Sequence, residues 1–137
     1  MAGYSGTPLS EKLGIKEDMT VGILNPPDHF DLDELAEGVE THENEQPADL
    51  YLIFADRADD AERDFRVAMA MMPPDGSIWI AWPKKSSGVE TDITENTLRE
   101  LFLPTGMVDN KVCAIDETWS GLRFVVRKEN RAGWPPS

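Results

Sequence analysis

Two short, unbroken apolar runs enclose one amphipathic stretch in the middle of this chain, and that triplet limits its possible folds more than any other feature. Leu50 to Ala55 and Ser77 to Trp82 carry no charged residue. A strand with one face in water alternates in polarity, whereas a strand covered on both faces does not. Between the runs, from about Ala58 to Met72, the residues Ala61, Phe65, Ala68, Met69 and Met72 recur at spacings of 4, 3, 1 and 3, one stripe of a helix. Pro73-Pro74-Asp75-Gly76 stops that helix and makes a turn. A strand, helix and strand with both strands buried form a right-handed crossover unit in a parallel sheet.

The flanking segments extend this unit. Met19 to Leu24 reads as another strand, ended by Asn25-Pro26-Pro27 because neither proline can donate a ladder hydrogen bond. Before it, Tyr4 to Leu9 reads as an extended arm. Ser10 then caps a short helix, Glu11 to Leu13, and Gly14 suits its left-handed C-terminal position. After the strand, Asp31 caps a second helix that places Leu32, Leu35, Ala36 and Val39 on one face. Glu40 to Pro47 reads as a mobile acidic loop. Beyond Trp82, Pro83 ends the strand and Lys84 to Gly88 forms a polar loop. Asp92 and Glu95 have capping-box spacing for a further helix that buries Leu98, Leu101 and Phe102. Pro104-Thr105-Gly106 ends it. Lys111 to Ile115 and Leu122 to Arg127 are two strands joined by Asp116 to Gly121, a link too short for a crossover, so the last strand runs antiparallel.

The expected fold is therefore α/β, a Rossmann-like three-layer sandwich. Its mostly parallel sheet has about five strands, near Val21, Leu52, Trp79, Val112 and Phe124, and ends in an antiparallel hairpin. With 137 residues and 40% apolar content the chain supports one core, which predicts a single domain over residues 1–128 and a disordered tail over 129–137.

Charge narrows the function classes. The net charge is −13, and the stretch from Asp28 to Asp64 holds 14 acids against 2 bases. Such a stretch repels phosphate backbones and argues against nucleic-acid binding. It is either a solvated face or a docking surface for a basic protein partner. No apolar run approaches the roughly 20 residues that span a bilayer, which argues against a membrane, and Met1 to Leu9 lacks the pattern of a signal peptide. The lone Cys113 excludes an intramolecular disulfide. Together these features predict a cytoplasmic protein.

The strand order, with its antiparallel final strand, resembles the class I methyltransferase fold. Two departures set the chain apart from what that resemblance implies. Methyltransferases place a glycine-rich loop after the first strand, and here Asn25-Pro26-Pro27-Asp28 stands there, with prolines that remove amide donors. Methyltransferases also hold the ribose hydroxyls with an acid at the end of the second strand, and the short span from Leu24 to Leu50 reads as one helix with no such strand. Adenosylmethionine is therefore expected to bind weakly or not at all. The motifs Tyr4 to Leu9, Lys12 to Ile15, Trp82 to Lys85 with Ser87-Gly88, and Lys111 to Leu122 resemble a small bacterial family of single-domain proteins of unassigned activity, a likeness that runs from Tyr4 to about Arg127.

In open α/β sheets, ligands bind at the carboxyl ends of the parallel strands. Asn25 and Asp28 follow the first strand, Asp56 and Arg57 the second, Trp82, Lys84 and Lys85 the third, and Asp116, Glu117 and Trp119 the fourth. The candidate ligand-binding set is Asn25, Trp82, Lys84, Lys85, Asp116, Glu117 and Trp119: lysines for an anion, indoles for an aromatic ligand. The structural alternative is that the lysines pair with Asp116 and Glu117 and pin the hairpin. His29 and His42 lack metal-ligand spacing and read as solvated. Ser120 lacks a nucleophile elbow and reads as a turn serine, and Cys113 reads as a small buried strand residue. With no Walker loop and no Gly-x-Gly-x-x-Gly, the sequence predicts no catalytic residue, no cofactor and no metal. The functional expectation is a small non-catalytic binding or regulatory module. The alternatives are a reduced transferase acting on a nucleotide-like or anionic substrate, and a protein-interaction partner that docks through its acidic segment.

Overall fold

A computed structural model describes residues 7–28 and 30–136. Tyr4 to Gly6 of the expected arm, His29 and Ser137 lie outside the described residues. The regular elements are α1 (Leu9–Leu13), β1 (Thr20–Leu24), β2 (Glu40–His42), β3 (Leu50–Phe54), α2 (Ala58–Met71), β4 (Ser77–Pro83), α3 (Glu95–Phe102), β5 (Met107–Ala114) and β6 (Trp119–Val126). They build one six-stranded sheet in the order β2-β1-β3-β4-β6-β5. β2, β1, β3 and β4 pair in parallel, and β6 runs antiparallel to both of its neighbours. The α/β Rossmann-like expectation holds, with a strand more than expected.

Every residue of β3 and of β4 is buried, as their unbroken apolar composition requires. The two sheet faces carry separate cores. Under α2 and α3, Phe65 stacks on Phe102 with ring centroids 3.7 Å apart, and Phe124 of β6 meets both edge-on at 5.5 Å. On the opposite face Leu13, Ile15, Leu32 and Ile115 pack against Trp79, whose indole N–H donates to the Leu13 carbonyl at 2.9 Å. A buried indole keeps a hydrogen-bond partner, and here that need ties α1 to the sheet.

Several local expectations are corrected. The second helix does not form; residues 31–39 are irregular, Leu32 is buried and Leu35 is exposed. Asp31, Asp33, Glu34 and Glu37 lie three or four apart with no Lys or Arg from residue 28 to 56, so a helix would stack like charges on itself. Instead Glu34 takes a left-handed φ of 55° and its carbonyl accepts the buried Ser10 hydroxyl at 3.1 Å. The chain so released returns to the sheet. Part of the expected mobile loop is β2, in parallel register with β1 from Thr20↔Glu40 to Gly22↔His42. Gly22 is required there: a Cβ would lie 2.8 Å from the Tyr51 ring and 3.2 Å from His42. Tyr51 in turn donates its hydroxyl to the Gln46 carbonyl, and His42 bonds the Pro47 carbonyl through Nε2 at 3.2 Å.

The short helix begins at Leu9 with Pro8 as its N-cap, and Gly14 closes it at φ 88° as expected. The cap of α3 is Thr94 with Thr97, two residues beyond the expected Asp92. Asp92 caps a different helix: its Oδ1 accepts the Ala58 N–H of α2 at 2.7 Å. β5 starts at Met107 and β6 at Trp119, so Ser120 is a strand residue and not part of a turn. Where the sequence reads as a disordered tail, Lys128–Gly133 form a 3-10 helix and Trp134 packs against the α2/α3 core.

Two predictions follow from this packing. Phe65→Ala should cost about 3–5 kcal/mol in urea unfolding, because it empties the centre of the aromatic stack. Burial pushes the Tyr51 hydroxyl up to about 12. The unfolded chain then loses the tyrosine proton first as pH rises, so stability should fall from about pH 10 to about pH 12. Urea melts across that window should show the slope, and Tyr51→Phe should remove its share of it.

Candidate functional site

The parallel part of the sheet reverses its order between β1 and β3, with β2 on one side and β4 on the other. Such a reversal leaves a crevice at the carboxyl ends of the two strands. The structure has a cleft there of about 230 Å³, lined by Asn25, Phe54, Ala55, Asp56, Asp60, Arg63 and Trp119.

Each wall has a local cause. Phe54 ends the buried run of β3, and with both faces covered its ring meets Phe30 at 4.8 Å and Trp119 at 5.1 Å, edge-on in both cases. Asp56 follows β3 directly, and Asp60 and Arg63 lie on the first turns of α2, three apart and 3.6 Å from each other. Asp92 and Thr91 brace this rim from another loop. Asp92 pairs with Arg57 at 3.4 Å as well as capping Ala58, and Thr91 donates its hydroxyl to the Asp56 carbonyl at 2.6 Å.

Asn25 forms the floor. Its φ is 56°, a left-handed conformation that asparagine tolerates better than most residues. Its side-chain amide donates to Asp64 Oδ2 at 2.8 Å and reaches the Phe54 carbonyl at 3.4 Å. Asp64 is buried on α2, and Arg63 Nε lies 3.4 Å from its other oxygen. This network joins the ends of β1 and β3 to α2. On the far side of the β1 end lies a hollow of about 120 Å³, lined by Pro26, Phe30, Thr41 and Glu43 among others. Glu43 is the residue directly after β2.

The residues singled out in the sequence divide. Asn25 and Trp119 line the cleft. Trp82 is buried in the α2/α3 core, whereas Trp119 packs on the opposite face, so the two indoles do not meet. Lys84 Nζ donates to the Asp116 backbone carbonyl at 2.7 Å, and its own amide donates to the Thr118 carbonyl at 2.8 Å. The Asp116 carboxylate is used within its turn, accepting the amides of Thr118 and Trp119 at 2.8 Å each. The pinning of the hairpin is thus a backbone contact, and the expected lysine–carboxylate ion pairs do not form. Lys85 and Glu117 are exposed and line no part of the cleft. Sequence reasoning missed Phe54, Asp60 and Arg63. The available signal was an acid three residues before a base on the first turns of a helix that follows a parallel strand.

No protein-family model matches the sequence. No curated protein sequence matches it either. Solved structures do match its fold. A SAM-dependent methyltransferase from Aquifex aeolicus aligns with a TM-score of 0.57 and 13% identity over 85% of this chain and 87% of that one. The magnesium protoporphyrin IX methyltransferase of Synechocystis PCC 6803, with bound SAM, gives 0.53 and 6% over 87% and 74%. TrmN from Thermus thermophilus gives 0.54 and 10% over 87% of this chain, which spans only 47% of the TrmN chain. At these identities the likeness shows the fold: an α/β Rossmann-like methyltransferase fold with a six-stranded mixed sheet.

These neighbours correct one expectation and the sheet itself another. The reading as a non-catalytic binding or regulatory module is set aside, because solved structures that share this fold are methyltransferases. The missing second strand is β2, and it carries an acid at its carboxyl end.

The floor of the cleft yields a prediction. Asn25→Ala and Asn25→Gly both remove the bond to Asp64, but only alanine also resists the left-handed backbone. Asn25→Ala should therefore unfold at lower denaturant than Asn25→Gly, by about 1–2 kcal/mol.

Proposed function

We propose that this protein is a reduced methyltransferase-fold transferase that takes an adenosylmethionine-type ligand across the carboxyl end of β1. The observation that supports this most directly is the acidic, aromatic-walled cleft at the switch point between β1 and β3. The residues present fit such a ligand through side chains. Glu43, at the end of β2, has the position from which methyltransferases hold ribose hydroxyls. Asp56 and Asp60 set negative charge beside a ligand that is a sulfonium and ammonium cation. Phe54 and Trp119 offer ring faces and edges to an apolar or aromatic part. When bound, adenosylmethionine supplies an electrophilic methyl group.

The same residues disfavour phosphorylated cofactors. Pro26 and Pro27 withhold the backbone donors that a pyrophosphate needs. Asp59 and Asp60 already stand in the first turn of α2, where the helix dipole would otherwise attract an anion. The nucleotide-like substrate of the transferase reading is thus better taken as a nucleoside without phosphate.

Calorimetry with adenosylmethionine, adenosylhomocysteine and NAD tests the proposal. The first two should bind and NAD should not. Asp56→Asn should weaken adenosylmethionine by about tenfold or more, with less effect on adenosylhomocysteine, whose sulfur is an uncharged thioether. No binding of either adenosyl ligand to the native chain would overturn the reading.

A further inference from the structure

Away from the cleft, on the face covered by α1, β6 places Arg123 in register between Trp79 of β4 and Lys111 of β5. Its guanidinium lies beside the left-handed Gly14: a Cβ there would come 3.8 Å from Cζ and 3.8–3.9 Å from the terminal nitrogens. Arg123 enters no ion pair among the described residues, and its Nε is buried without a hydrogen-bond partner. Two further cations converge here. Lys111 Nζ donates to the Lys12 carbonyl at 2.9 Å, and the charges of Lys12 and Lys111 both act on the thiol of Cys113, the strand neighbour of Lys111 but one.

The absence of a counter-charge is informative in this chain. It has 26 Asp and Glu residues, yet none pairs with Lys12, Lys111 or Arg123 among the described residues. Burial depresses the Arg123 pKa, the mark of a charge partly stripped of water without compensation. Nε is sealed and unpartnered, and no hydrogen bond or ion pair among the described residues engages the two terminal nitrogens. A planar fork flanked by ammonium groups matches a tetrahedral oxyanion, which it can hold through two parallel hydrogen bonds.

We propose that Arg123, Lys12 and Lys111 form a binding site for a small phosphorylated ligand on the α1 face of the β5–β6 pair. Along β6 the site lies four residues from Trp119, roughly 13 Å from the switch-point cleft. It stands independently of the transferase reading, whose own cleft disfavours phosphate.

The test is a titration of the full chain with inorganic phosphate, against chloride at matched ionic strength, followed by the NMR signals of the Arg123 Nε–H and the Gly14 amide. Both signals should shift and saturate with phosphate but not with chloride. Arg123→Gln should abolish the saturable shift at Gly14. Lys12→Gln with Lys111→Gln, changes at a half-buried and an exposed lysine outside the buried core, should weaken binding by about tenfold. Shifts that follow ionic strength alone, or that survive unchanged in the double-lysine variant, would overturn the proposal.

Discussion

The central pair of strands, β3 and β4, sets the terms for the rest of the molecule. Both are buried along their whole length, so the sheet needs cover on both faces. One face receives α2 and α3 and the stacked Phe65–Phe102–Phe124 group. The other has only the five-residue α1 and an irregular connection. Cover so slight depends on specific ties, and the bond from the Trp79 indole to the Leu13 carbonyl is the deepest of them. Leu13, Ile15 and Leu32 complete the layer by filling the space around that indole.

The site follows from the same economy of cover. Because no helix forms after β1, the connection lays Phe30 directly on Phe54, and Phe54 on Trp119. Those rings occupy ground beside which a methyltransferase-type loop would carry glycine. The cleft that remains is modest, about 230 Å³, below the roughly 300–1,000 Å³ of most ligand pockets. Its walls hold carboxylates and aromatic rings, so the ligand would be met by side chains and not by backbone amides. The hollow at Glu43 adds room on the other side of Pro26.

Loops at this edge are fastened by long-range contacts. Asp92 caps a helix whose first residue, Ala58, precedes it by 34 residues in the chain, and Lys84 holds the turn of the β5–β6 hairpin through a carbonyl. These contacts fix the rim at α2 and the position of Trp119. The cations left without ion-pair partners among the described residues gather beyond that edge, Lys111 and Arg123 on the β5–β6 pair and Lys12 on α1 above it.

The sequence by itself determined the βαβ centre, the parallel sheet and its antiparallel last strand, because each rests on a local pattern: unbroken apolar runs, a helical stripe, and connection lengths. It also placed Asn25 and Trp119 at the carboxyl edge, since strand polarity alone carries that information. It could not show that residues 31–39 would refuse a helix whose apolar spacing looked correct, because like-charge repulsion and the pull of Ser10 on Glu34 act against that spacing. It could not find β2, whose three residues have no apolar pattern of their own and become a strand only by pairing with β1. Nor could it send Trp82 and Trp119 to opposite faces, give Asp92 to α2, or leave Arg123 without a counter-charge. Those outcomes depend on which residues meet across the sheet, and only the packed tertiary structure sets those distances.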